Sequence, residues 1–199
     1  LDDYAFYALG LLELYSADFD PVHILKAEEL AENIHCRFAD KEGGYFRTAI
    51  DAEKLLIRPK EIFDGAMPSG NSAAAVLFDR LFRLTGKENW RAAADAQRSF
   101  ISRSAGQYPA GCCYALTAVL ASGASRELVC VTPDETLPET LRAVLSRYAP
   151  ELTVLVKTPA NAAALETAAP YTADMQPKDG KPAYYVCTGG SCAMPVDMG

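Results

Sequence analysis

Asp64-Gly65-Ala66-Met67-Pro68-Ser69-Gly70-Asn71-Ser72 divides a polar, charged segment from an apolar helical pattern that begins at Ala73. Gly65, Pro68 and Gly70 make the backbone turn sharply. Ser69, Asn71 and Ser72 are each able to cap the free N–H groups at a helix start. A start that joins Asp64 to a hydroxyl and an amide suits a polar ligand, because hydrogen-bonding groups then stand at the positive end of the helix dipole. The same residues also read as a capped loop without a ligand.

Outward from this stretch the chain alternates between two kinds of helix. The segment from Ser69 to Thr85, closed by Gly86, carries Ala73, Ala74, Ala75, Val76, Leu77, Leu81, Phe82 and Leu84 and reads as an inner helix. Upstream, Tyr4 to about Tyr15 is apolar almost all round and is expected to pack on several sides. Pro21 to about Phe38 is an outer helix, with Lys26, Glu28, Glu29, Glu32 and Arg37 on its wet face. Between these helices and the quoted stretch, Gly43–Thr48 and Leu55–Arg58 are expected as the strands of a β-hairpin insertion over about 41–63. Downstream, Glu88 to about Ser104 is outer and Pro109 to about Ala121 inner. The order inner, outer, inner, outer, inner predicts part of an α/α toroid over residues 1–122, with apolar helices lining a central cavity.

Around Gly123 the period changes. Glu127–Thr132 and Leu152–Val156 read as buried strands, each followed by a helix (Pro138–Tyr148 and Asn161–Ala168), which predicts a parallel βαβ unit. Ala183–Cys187 is a last strand that runs into Thr188-Gly189-Gly190-Ser191-Cys192 and Pro195. Residues 123–199 are therefore expected as a small α/β lobe ending in a Cys-x4-Cys turn. The fold class is mainly α, a partial toroid followed by this lobe. The lobe has no glycine-rich phosphate loop, which argues against a nucleotide.

Composition narrows the function further. Half of the 199 residues are hydrophobic and 23% are charged, enough for a sizeable core. A net charge of -7 argues against nucleic acid, and no basic amphipathic helix or apolar run of about 20 residues suggests a membrane. The opening residues, Leu1-Asp2-Asp3-Tyr4, read as a helix start, so the chain is expected to be the C-terminal part of a longer protein. Cys36, Cys112, Cys113 and Cys130 lie in apolar surroundings and are expected as buried thiols, which fits a reducing cytoplasm.

Three inner helices begin with polar or turn-forming runs: Leu1–Tyr4, Asp64–Ser72 and Gly106-Gln107-Tyr108-Pro109. Parallel inner helices would gather these starts at one mouth. Paired carboxylates there could act as acid and base, which makes Asp2, Asp3 and Asp64 catalytic candidates. Tyr4, Tyr45, Arg58, Lys60, Ser69, Asn71 and Tyr108 are the candidate binding groups. Asp2 and Asp3 could equally be simple N-terminal caps, and Arg58 and Lys60 solvated charges around Pro59. His23 and His35 lie twelve residues apart on one outer helix, too far to share a metal. Cys187 and Cys192 could be reduced structural thiols, a redox-responsive pair or two ligands of an incomplete metal site. No metal or cofactor is expected.

Taken in order, Leu1–Phe6, Gly43–Phe46, Arg58-Pro59-Lys60, Asp64–Ser72 and Tyr185–Cys192 with Pro195 resemble the C-terminal part of the thioredoxin-domain-containing proteins related to spermatogenesis-associated protein and the YyaL-like bacterial proteins. The resemblance covers essentially the whole chain. It implies an N-terminal thioredoxin-like domain as a neighbour and a six-hairpin, glycosidase-like toroid similar in shape to sugar 2-epimerases, of which this chain holds the last part. A carbohydrate-active or sugar-binding protein with a small polar ligand at Asp64–Asn71 follows as the first expectation. The alternative is a non-catalytic client-binding or scaffold module with Cys187 and Cys192 as its redox pair. Inner helices left uncovered could also pair two copies of the chain.

Overall fold

A computed structural model describes residues 1–106, 108–122, 125–188 and 191–193. Gln107, Gly123, Gly189, Gly190 and Pro195 of the sequence analysis lie outside the described residues. Five helices come first: α1 (Asp2–Asp18), α2 (Val22–Phe38), α3 (Gly70–Thr85), α4 (Glu88–Ala105) and α5 (Cys113–Ser122), the last entered through a 3-10 turn at Pro109–Cys112. The rest alternates as β1 (Arg126–Val131), α6 (Glu139–Leu145), β2 (Leu152–Lys157), α7 (Ala162–Ala168), β3 (Ala183–Thr188) and β4 (Ser191–Cys192). About half of the chain is helical, and a small α/β lobe follows the helices.

α3 is the axis. Of its 16 residues 13 are buried, and it packs against α1, α2, α4, α5 and β2. Its start and stop follow from local chemistry. Ser69 stays extended and its hydroxyl accepts from the Ser72 N–H (3.1 Å), while Gly86 ends the helix in the left-handed region (φ 67°). A Cβ at Gly86 would also press on the Tyr171 ring, so this corner needs glycine for both conformation and space. α1 ends on Phe19, an unusual non-glycine residue in the left-handed region (φ 58°). Its buried ring meets Tyr15 edge-on at 5.8 Å, and this packing offsets the strain.

The helical part departs from the sequence expectations at four places. α1 packs on α2 and α3, yet one flank is open, with Tyr7 and Leu14 more than half exposed. Glu28, expected on the wet face of α2, is buried. Its carboxylate accepts from the Lys87 ammonium (2.8 Å) and the Trp90 indole N–H (2.7 Å), which tie α4 to α2. Cys36 and Cys113 are exposed, whereas Cys112 and Cys130 are buried as expected. Residues 41–63 form no hairpin. The segment makes one isolated antiparallel bridge, Ala39 with Tyr45, and its Leu55–Arg58 stretch forms no strand: Leu55, Leu56 and Ile57 face solvent, and only Arg58 is anchored, through its side chain.

The sheet order is β2-β1-β3-β4. β1 and β2 run parallel with α6 between them, as the alternating pattern predicts, and β3 lies antiparallel on the other side of β1. One hydrophobic cluster continues from α1–α4 into Leu128, Val129, Val156, Leu165 and Tyr184, so helices and lobe share a core. Polar contacts reinforce the joint. Asn161 donates to the Phe19 carbonyl (3.2 Å), and Arg83 of α3 donates to the Glu151 carbonyl. Among the described residues no helix is long and apolar enough to cross a membrane.

Candidate functional site

The starts of α1, α3 and α5 meet at one end of the helical layer, and Asp64 is the link. One of its carboxylate oxygens accepts from the Ser69 N–H (2.9 Å) at the entrance to α3. The other accepts from the Tyr114 N–H (2.8 Å) in the first turn of α5. The Asp64 N–H donates in turn to the Gly111 carbonyl (2.6 Å) in the 3-10 turn before α5. A carboxylate at the positive ends of two helices is held by both dipoles as well as by its hydrogen bonds. α1 closes the group: a Cβ at Gly70 would collide with the Asp2 carboxylate and the Leu1 side chain, so only glycine lets the starts of α1 and α3 touch.

Asn71 performs a similar task one layer deeper. It is fully buried and all of its hydrogen-bonding capacity is used. Its amide oxygen accepts from the Tyr45 N–H (2.8 Å) and the Gln97 side chain (3.0 Å), and its amide nitrogen donates to the Tyr45 and Glu61 carbonyls (both 2.8 Å). It thereby fastens residues 45 and 61 of the long excursion to α3 and α4. The Tyr45 side chain is buried, with its hydroxyl 3.2 Å from His35 Nδ1, and burial raises its pKa.

Arg58 and Lys60 work on the excursion itself. Arg58 stacks over the Phe46 ring (4.2 Å) and donates to the Thr48 carbonyl (2.6 Å). Lys60 reaches Asp40 (2.5 Å) and the Gly43 carbonyl (3.0 Å). The Lys60 ammonium, the chief of several donors to Asp40, holds that carboxyl below its ordinary range. Tyr4 stands on the α2 side of α1, against Phe38 (5.5 Å), and its hydroxyl accepts from Arg37 (2.5 Å).

Of the proposed site residues, Asp2, Asp3, Asp64, Ser69 and Tyr108 therefore share the mouth. Tyr4, Tyr45, Arg58, Lys60 and Asn71 hold the surrounding loop and helices. The groups at the mouth that face solvent include Asp3, with Asp2 half-buried, and an aromatic pair. Tyr108 stacks on Phe63 with ring planes 6° apart and centroids at 6.0 Å, and both rings are more than half exposed. Phe63 was not among the predicted residues. Its position next to Asp64 was the available signal, because an apolar side chain beside a helix-bridging carboxylate must lie at the same rim.

A cleft of about 480 Å³ opens at the far end of α3 instead, between Glu13, Arg80, Arg83 and the β2 residues Leu152–Val154. Cys187 and Cys192 lie in the lobe, joined by a disulfide that closes the β3–β4 turn. Among the described residues no group of three His, Cys, Asp or Glu side chains is placed to hold a metal ion.

No family model matches the chain. Over 98% of its length it is similar to spermatogenesis-associated protein 20 of Homo sapiens and of Rattus norvegicus, at 26% identity in each case. An uncharacterised protein of Caenorhabditis elegans is 34% identical over 47% of the chain. The chain spans about a quarter of the length of the mammalian relatives it matches, 26% in both.

Proposed function

We propose that the chain supplies a carbohydrate-binding mouth to a larger protein of the six-hairpin, glycosidase-like kind, with α1, α3 and α5 as inner helices of the toroid and α2 and α4 as outer ones. The observation that carries this reading is the meeting of three helix starts beside one exposed and one half-buried carboxylate and an exposed aromatic pair. A sugar ring offers an apolar C–H face and a rim of hydroxyls. Tyr108 and Phe63 suit the first and the carboxylates of Asp2 and Asp3 the second. If the mouth is catalytic, Asp2 and Asp3 are the acid and base, in a hydrolase- or epimerase-like reaction. Asp64 serves as a brace, since both of its oxygens already accept backbone N–H groups. The neighbouring thioredoxin-like domain and a cytoplasmic setting belong to the same proposal.

Calorimetric titration of the intact protein with a panel of mono- and disaccharides tests it. A binding sugar should lose at least about tenfold in affinity on Tyr108→Ala or Asp3→Ala, the scale of one lost stacking or charged hydrogen-bond contact. An absence of binding across the panel, or binding indifferent to both substitutions, contradicts the proposal.

A further inference from the structure

The geometry points to a thiol–disulfide exchange site in the α/β lobe, where the Cys187–Cys192 disulfide accepts electrons from a dithiol and a small pocket with an arginine in its wall shelters the sulfur that leaves. The two cysteines face each other across the β3–β4 turn, Cys192 exposed and Cys187 only 3% exposed. The other four cysteines are free, so the chain does not use disulfides as a general staple. In a reducing compartment a single disulfide of this kind is characteristically one that turns over.

The disulfide walls a pocket of about 120 Å³ with Phe82, Arg83, Glu127 and Tyr171. Glu127 is the direct cross-strand partner of Cys187, so their side chains stand on one face of the sheet. Arg83 is 7% exposed, and its Nε has no hydrogen-bond acceptor. The nearest carboxylate oxygens, of Glu127 and Asp79, lie at 3.9 and 4.0 Å from its guanidinium. The Tyr171 hydroxyl is buried and likewise lacks a partner. Polar groups buried in this condition are costly. Arg83 is held by the Glu151 carbonyl and by long ion pairs to Glu127 and Asp79. Its Nε–H and the Tyr171 hydroxyl are still without acceptors beside the disulfide, and such donors are suited to a thiolate, which appears only when the bond opens.

In the exchange, a thiolate of the dithiol bonds to Cys192 Sγ, the S–S bond breaks, and its electron pair passes to Cys187 Sγ beside Arg83. The second thiol of the same dithiol then attacks the mixed disulfide and releases Cys192. The dithiol leaves as a disulfide, and its two electrons and two protons remain on the cysteine pair. Glu127 opposes the leaving thiolate by like charge and Arg83 favours it, so the two residues set the rate in opposite directions.

The test equilibrates the intact chain with reduced and oxidised dithiothreitol, traps thiols by alkylation and counts them by mass. The pair is expected to gain two alkylations while far-UV circular dichroism stays unchanged. Glu127→Gln, which keeps shape and removes the opposing charge, should speed reduction by roughly 2–5-fold, the response to a leaving-group shift of about one pKa unit. Arg83→Met should slow it by a similar factor. If that variant fails to fold, Glu127→Gln decides alone. A pair that reduces only when the chain unfolds, or a Glu127→Gln rate equal to that of the unaltered chain, overturns the assignment.

Discussion

The mouth of the helical layer and the pocket of the lobe treat their polar groups in opposite ways. At the mouth Asp64 has a backbone N–H on each carboxylate oxygen and the Asn71 amide is fully matched within the chain, although the neighbouring Gln97 Oε1 is not. In the pocket of the lobe two buried atoms, Arg83 Nε and the Tyr171 hydroxyl, are unmatched. Satisfied burial marks construction, whereas an unmatched donor carries a cost that a charged partner beside the disulfide would relieve.

The largest test of that distinction is at Asn71. If its amide is structural, Asn71→Ala leaves two donors and two acceptors without partners in the interior. The expected loss is about 3–5 kcal/mol in a urea unfolding curve. A loss under about 1 kcal/mol would move Asn71 from construction to ligand binding. Gly70→Ala comes next, at about 1–3 kcal/mol, because the added methyl must displace Asp2 and Leu1 from the start of α3. It should also weaken any ligand held by Asp3, by splaying α1 away.

The smallest effect concerns the pocket. Burial, only partly offset by Arg83, holds the Glu127 carboxyl above its ordinary range. A carboxyl raised in this way binds its proton more readily in the folded chain than in the unfolded one. Its contribution to stability is therefore complete below the unfolded pKa and is lost as pH rises through the folded pKa. Glu127→Gln should accordingly be more stable than the unaltered chain at neutral pH, and the gain should disappear on acidification through the carboxylate range. A loss at neutral pH that fades on acidification would mean that Arg83, and not desolvation, governs the site.

Most of the fold was legible because its signals are local. The 3.6-residue periods of α2–α4, the Ser69 cap, the Gly86 stop and the strand-helix-strand run of the lobe all lie within short windows. The features that could not be read depend on distant partners. Glu28 has the position of a solvent-facing residue, and only Lys87 and Trp90, about sixty residues away, explain its burial. Residues 43–48 and 55–58 read as two short strands, but the segment is held to the helices and to itself by Asn71, Arg58 and Lys60, whose anchoring a local window cannot show. The meeting of the starts of α1, α3 and α5 was legible because each begins with a polar or turn-forming run. The pocket beside Cys187 was not, since it requires the sheet register and the face of α3 together. Its one hint was the Asp79…Arg83 pair, which with Arg80 interrupts the apolar pattern of α3.

The central claim is that one carboxylate ties two helix starts into a common mouth, and amide hydrogen exchange tests it most directly. In Asp64→Ala the amides of Ser69 and Tyr114 should lose protection together, while the interiors of α3 and α5 keep theirs. Unchanged protection at both amides, or loss at only one of them, would contradict the bridge and the mouth built on it.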